Sequence, residues 1–306
     1  YTFMKYILNR DKFVKESNEH IESICMKLGI SDFEIVDGLV NVNGDVILYK
    51  KQLYELPIQF GRVTGDFNCY DNRLSTLKGC PSYVGGDFNC YDNRLSTLKG
   101  CPSYVGGDFI CSYNQLTSLE FCPTEVGGCF ECNDCEIESL KFAPSKVGLD
   151  FYCNSNKLTS LEYCPSYVGR DFDCSYNQLT SLEFCPSIVE RGYDCAYNKL
   201  TNLIGSPDKV NWKFNCYNNK LTTLEGVPSQ LGNYLDCSDN ELTSLDHCPT
   251  NVTKLYCNGN PISKWWNQVS PDIDDNSLLE LFIDMGINSN DPDEYNESRI
   301  KEILEY

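Results

Sequence analysis

Residues 170–186 read RDFDCSYNQLTSLEFCP, and the same phrase recurs through most of the chain. It carries an aromatic two residues before a Cys, an Asn three after it, Leu five and eight after it, and a closing Pro. The cysteine falls every 21 residues at Cys69, Cys90, Cys111, Cys132, Cys153, Cys174, Cys195, Cys216 and Cys237, and once more at Cys257 after a step of 20. A fixed period in the twenties is the mark of a solenoid, in which one unit cannot bury its apolar face alone and stacked copies make a continuous core.

Phe67, Phe88, Phe109, Phe130, Phe151, Phe172, Tyr193, Phe214, Leu235 and Leu255 fill the aromatic column, two residues before the cysteines. That alternation predicts one short strand per repeat, with both residues on one face. Leu74 to Ile262 and Leu77 to Leu245 supply two further apolar columns. Asn72, Asn93, Asn114, Asn156, Asn177, Asn198, Asn219, Asn240 and Asn260 follow the strand, where a side-chain amide satisfies backbone groups as the chain turns.

The pattern resembles the leucine-rich repeat family, whose unit LxxLxLxxNxL is realised as GGDFNCYDNRL at 85–95. The resemblance covers 44–264 and is closest to the short bacterial and bacteriophage type. Gly usually stands at the first Leu position, with Val one residue earlier at Val84, Val105 and Val126. The resemblance implies an α/β, β-rich solenoid: a right-handed horseshoe of about ten repeats with a concave parallel sheet. The return segment, as in LEFCPTEVGG at 119–128, holds Pro and a Gly pair and is expected to be extended or turn-like rather than helical. Ten strands at about 4.8 Å give a sheet on the order of 45 Å long, sized for a protein rather than a metabolite.

Three segments are expected. Residues 1–43 form an N-terminal cap, with Phe13, Val14, Ile21, Cys25 and Leu28 at helical spacing and Gly29 as the stop. Residues 44–264 form the solenoid, opening on a degenerate strand with Val46 and Leu48 in place of Phe and Cys. Residues 265–306 form an acidic C-terminal cap with two short helices.

The chain has 306 residues, a net charge of −19 and 19 cysteines. Neither a secretory signal nor a long apolar run is read in it, and no membrane partner is expected. Ten cysteines lie in the inward column as small hydrophobes. Six more (Cys80, Cys101, Cys122, Cys164, Cys185 and Cys248) share a column that tolerates Ala143, Ser206 and Val227. Reduced thiols in a cytoplasmic compartment are therefore expected rather than a disulfide scaffold.

Enzyme chemistry finds little support. His20 and His247 sit in no nucleophile or metal motif, and neither a phosphate loop nor a GxSxG elbow occurs. Cys129, Cys132 and Cys135 give CxxCxxC, but register sends Cys129 and Cys132 to opposite sides. Neither a metal nor another cofactor is expected.

Function is then sought on the outward positions. Asp66, Asp87, Asp108, Asp150 and Asp171 precede the aromatic; Tyr152, Asp173, Asp194, Asn215 and Asp236 stand between aromatic and Cys. Tyr70, Tyr91 and Tyr217 follow the Cys, with Tyr113, Tyr176 and Tyr197 one residue further on. In-register strands put such aspartates about 5 Å apart, where like charges repel by roughly 1 kcal/mol in water. A structural role would not favour that; a basic partner would relieve it, and tyrosine is a favoured interface residue. Against this, residues 66–86 and 87–107 are identical at every position, so Asp66 and Asp87 are copies of one choice on what could be a merely solvated surface.

The segment 271–306 holds eleven acidic and two basic residues. Nucleic acid is not an expected partner, since phosphate binding needs a basic footprint; nor is a small-molecule substrate. Three classes stay open: a non-enzymatic module that captures, and in one form inhibits, a basic host protein; a nucleic-acid mimic that blocks a DNA-binding or nuclease protein; and a structural or virion-associated repeat protein.

Overall fold

The structure, a computed structural model, describes residues 17–249 and 251–263. The chain divides into two compact units, one of Tyr1–Leu158 with Glu162–Gly169, the other of Thr159–Leu161 with Arg170–Tyr306. The expected C-terminal cap, and Phe13 and Val14 of the N-terminal one, lie outside the described residues.

Every repeat contributes two short strands. In the first unit the strands at Val46–Ile47, Phe67–Asn68, Phe88–Asn89, Phe109–Ile110, Phe130–Glu131 and Phe151–Tyr152 pair in parallel, each residue of the first apolar column against its counterpart in the next repeat. In the second, Phe172–Asp173, Gly192–Asp194, Lys213–Asn215, Tyr234–Asp236 and Lys254–Tyr256 do the same. The return segment is more regular than expected, because the valines before the glycines pair as well. Phe60–Val63, Tyr83–Val84, Tyr104–Val105, Glu125–Val126, Lys146–Val147 and Tyr167–Val168 build a second parallel sheet in the first unit. Ile188–Val189, Lys209–Val210 and Gln230–Leu231 build its counterpart in the second.

The cysteine, leucine and valine columns and the aromatic column are buried, nearly all at zero exposure. Consecutive rings stack, Phe67 on Phe88 at 5.9 Å and Tyr193 on Phe214 at 5.3 Å. Such pairs add about 0.5 to 1.5 kcal/mol each beyond their area. The asparagine column forms a ladder: Asn198 Oδ1 accepts from Leu179 N at 2.9 Å, while its Nδ2 donates to Cys174 O and Cys195 O at 3.1 Å. One amide thus closes groups in its own repeat and in the one before.

The glycine pair that departs from the family pattern has a steric cause. A Cβ on Gly85 would lie 2.1 Å from Thr64 O, and one on Gly86 would lie 2.0 Å from Asp66 Oδ1. At these repeats the neighbouring turn leaves no room for a side chain, whereas later repeats place Glu190, Arg191, Asn211 and Trp212 at the same positions.

At the N-terminal end a helix runs over 17–28 and stops at Gly29, whose φ is +82°, with Cys25 fully buried. A hairpin the sequence reading missed follows it: β1 (Phe33–Val36) and β2 (Leu39–Val42) pair antiparallel, and β2 pairs in parallel with Phe60–Val63. The signal was present in Asp37-Gly38, both at positive φ, which is the favoured two-residue hairpin turn.

Candidate protein-binding face

The first outward aspartate column has a structural use that the sequence reading denied it. Asp66 Oδ1 accepts from Asp87 N at 2.8 Å, Asp87 Oδ1 from Asp108 N at 2.8 Å, and Asp108 Oδ1 from Cys129 N at 2.7 Å. Asp171 Oδ1 accepts from Gly192 N at 2.8 Å. Each carboxylate caps a backbone donor of the next repeat, and this charge-assisted bond offsets the like-charge repulsion. Asp150 is a further correction, since it is buried at 7% exposure and meets Cys129 Sγ at 3.4 Å. Burial, with Asp108 and Asp66 nearby, raises the Asp87 carboxyl above its ordinary range.

The second column is an Asx-turn column. Asn68, Asn89, Asp173, Asp194, Asn215 and Asp236 each accept, through Oδ1, the N–H two residues on. Short side chains with an oxygen at that reach hold the chain as it leaves the strand. Asn215 Nδ2 also donates to Asp194 Oδ2 at 2.8 Å. Burial, then the Asp194 charge, pushes the Asp173 carboxyl up to about 6. Tyr152 takes the same column half-buried.

The next turn position is left-handed in every repeat described: Asp71, Asp92, Tyr113, Asp134, Ser155, Tyr176, Tyr197, Asn218 and Asp239 have φ between +49° and +55°. Asn and Asp tolerate that region, whereas a bulky aromatic there is an outlier. Yet Tyr113 and Tyr176 are 48% and 53% exposed. Tyr176 and Tyr197 stack at 4.0 Å with 13° between planes, Tyr217 meets Tyr197 edge-on at 5.2 Å, and in the first unit Tyr91 lies 4.9 Å from Tyr113. Tyr70 stacks on Tyr49 at 5.1 Å. A hydrogen bond to Tyr197 raises the Tyr176 phenol, and one donated to the Asp239 carboxylate raises that of Tyr217. Shallow surface beside the stack is lined by Tyr176, Tyr197, Lys199 and Asn218.

Charge on this face is mixed rather than uniformly acidic. The residue after the ladder asparagine is basic and exposed at Arg73, Arg94, Lys157, Lys199 and Lys220, a column the sequence reading passed over. Two cations also lie among the acidic positions. Arg191 Nη1 is 3.3 Å from Asp171 Oδ2, with its guanidinium 4.9 Å from the Trp212 ring centre. Lys213 Nζ is 3.7 Å from Asp194 Oδ2 and 5.5 Å from the Tyr234 ring centre.

Among the described residues no group of three His, Cys, Asp or Glu side chains is arranged to hold a metal. Cys132 is fully buried, and Cys135 takes the ladder position with Sγ 3.7 Å from Cys111 O. No helix among the described residues is long and apolar enough to cross a membrane.

No protein-family model and no curated protein matches the chain. Solved structures do. YopM from Yersinia enterocolitica WA-314 matches with a TM-score of 0.44 and 19% identity over 72% of this chain and 67% of that one. YopM from Yersinia pestis, described as a leucine-rich effector protein, gives 0.49 and 18% over 71% and 66%. The functional domain of InlJ from Listeria monocytogenes, described as including a cysteine ladder, gives 0.42 and 20% over 68% and 58%. Leucine columns stacked every 21 residues and closed by an asparagine ladder give this chain the fold of a leucine-rich-repeat solenoid.

Proposed function

We propose that the chain is a non-enzymatic protein-binding module whose partner docks on the outward face of the cysteine-bearing strands and the turns that follow them. The observation that carries this reading is the presence of Tyr113, Tyr176 and Tyr197 at left-handed turn positions. Residues held in such regions cost on the order of 1 to 3 kcal/mol, and strain of this kind gathers at functional sites. Asp71, Asp92, Asp134 and Asn218 fill the same position at less cost, so the fold does not require the rings. Tyrosine adds large contact area with few rotamers to fix, which suits it to an interface.

The net charge of −19 supports a partner with a basic surface. Capture of a host factor by a bacterial or phage protein in a reducing cytoplasm is the setting this reading favours. Nucleic-acid mimicry draws less support, because the most regular acidic column spends its oxygens on backbone N–H groups.

The test is affinity capture from a lysate of the native host, wild type against the Tyr176→Asn, Tyr197→Asn double variant. Asn suits the left-handed backbone, so the variant keeps its fold. A partner retained by wild type and lost by the variant supports the reading; identical retention refutes it.

A further inference from the structure

The chain displays on its own surface the kind of group this face accepts. Arg191 sits between a carboxylate of the preceding repeat, Asp171, and a ring of the following one, Trp212. Lys213 repeats the arrangement one strand on, between Asp194 and Tyr234. A cation held so gains from the ring quadrupole and the opposite charge together.

The turn positions offer the same frame with the middle left neutral. In the second unit the order of turn positions is Tyr197, then Asn218, then Asp239, with the Tyr217 ring edge-on to Tyr197 at 5.2 Å and the Asp239 carboxylate acting on the Tyr217 phenol. Asn218 is exposed, and its side chain makes no hydrogen bond among the described residues. The nearby Lys199 leans the other way, its Nζ donating to Gln178 Oε1 of the preceding repeat at 3.2 Å. In the first unit Tyr113 stands between Asp92 and Asp134 in the turn column, its ring 4.9 Å from that of Tyr91, and both carboxylates act on the Tyr91 phenol. There the Lys50 ammonium is engaged one turn further back, 3.6 Å from Asp71.

We infer that each unit carries a cation-binding pocket for a partner's arginine or lysine side chain, one formed by Tyr197, Tyr217 and Asp239, the other by Tyr91, Tyr113, Asp92 and Asp134. The inference rests on the protein-binding reading above and states its chemistry. The partner side chain takes the place that Lys213 takes between Asp194 and Tyr234.

The probe is a short alternating Gly-Arg peptide and its Gly-citrulline counterpart, titrated calorimetrically into the whole chain at physiological salt. The arginine peptide binds and the citrulline peptide does not. Asp239→Asn and Tyr197→Asn weaken binding at one pocket about tenfold, and Asp134→Asn does so at the other, the scale expected of a carboxylate or cation–π contact partly shielded from water. Glu225→Gln, an exposed charge on a distant turn, changes it less than twofold, and thermal melts confirm that all variants fold. Equal binding of the citrulline peptide, or equal weakening by Glu225→Gln, overturns the inference in favour of diffuse attraction to an acidic protein. If the captured partner is lost on Tyr197→Asn yet indifferent to Asp239→Asn and Asp134→Asn, the face binds protein but not through cations, and only this inference fails.

Discussion

Asn198 holds four backbone groups at once: its Oδ1 takes the N–H of Leu179 one repeat earlier, and its Nδ2 reaches the carbonyls of Cys174, Cys195 and Ala196. All lie in the buried interior, where water cannot replace the amide. Asn198→Ala therefore costs about 1 to 3 kcal/mol, the penalty of orphaned buried groups. Asn177→Ala behaves alike. Urea unfolding measures both, and an unchanged midpoint would count against the ladder.

Asp87 tests the aspartate ladder by the shape of its replacement. Asp87→Ala removes the acceptor for Asp108 N and costs about 1 kcal/mol. Asp87→Asn keeps an oxygen there and relieves repulsion from Asp66 and Asp108, so it is neutral or mildly stabilising. Equal loss in both variants would show that the charge, not the acceptor, matters.

Asp173 predicts a pH dependence. Burial and Asp194 hold its carboxyl near 6, above the value of about 4 in an unfolded chain. A raised carboxyl favours folding in its neutral form: that stability is complete below about pH 4 and lost as pH rises through about 6. Asp173→Asn retains an acceptor for Ser175 N and raises stability at pH 7.5 by on the order of 2 kcal/mol, with no gain at pH 4. A benefit independent of pH would contradict the assignment.

Thiol chemistry separates folded from unfolded chain. Burial pushes Cys69, Cys101 and Cys185 up to about 12, so little thiolate exists at pH 8. Native protein then reacts with iodoacetamide on the order of a hundredfold more slowly than a small thiol. Unfolded in urea without reductant, it titrates 19 thiols, since none of the cysteines is bridged. Fewer thiols would place disulfides in the protein as isolated.

Phe142 is half-exposed at φ +73°, in the column where Gly79 and Gly100 stand at +96° and +95°. Phe142→Gly relieves a left-handed aromatic while removing little buried surface. The melting temperature holds or rises, in contrast to Phe151→Ala, a fully buried ring whose loss costs about 3 to 5 kcal/mol. A comparable loss at Phe142 would mean the ring is packed.

Much of the fold was legible because each buried column repeats: one reading of Phe88, Cys90, Asn93 and Leu95 serves every turn. The β1–β2 hairpin escaped because it occurs once and its Asp37-Gly38 turn has no copy to draw attention to it. The candidate face was only half legible. Period shows that Asp66 and Asp87 point away from the core, but not that their oxygens are spent on the next repeat, which needs backbone positions. The left-handed turn was equally hidden: the period puts Asp92 and Tyr113 in one column, but only their shared positive φ shows what that position asks of the backbone.

The aspartate ladder leaves a mark on heredity. Asp66 meets Asp87 as Asp87 meets Asp108, so an added turn finds the same donor and acceptor waiting on either side. Unequal crossing-over between two identical tracts such as 66–86 and 87–107 can lengthen or shorten the gene by whole turns without spoiling a joint. Kindred chains should then differ in number of turns before they differ in how turns meet.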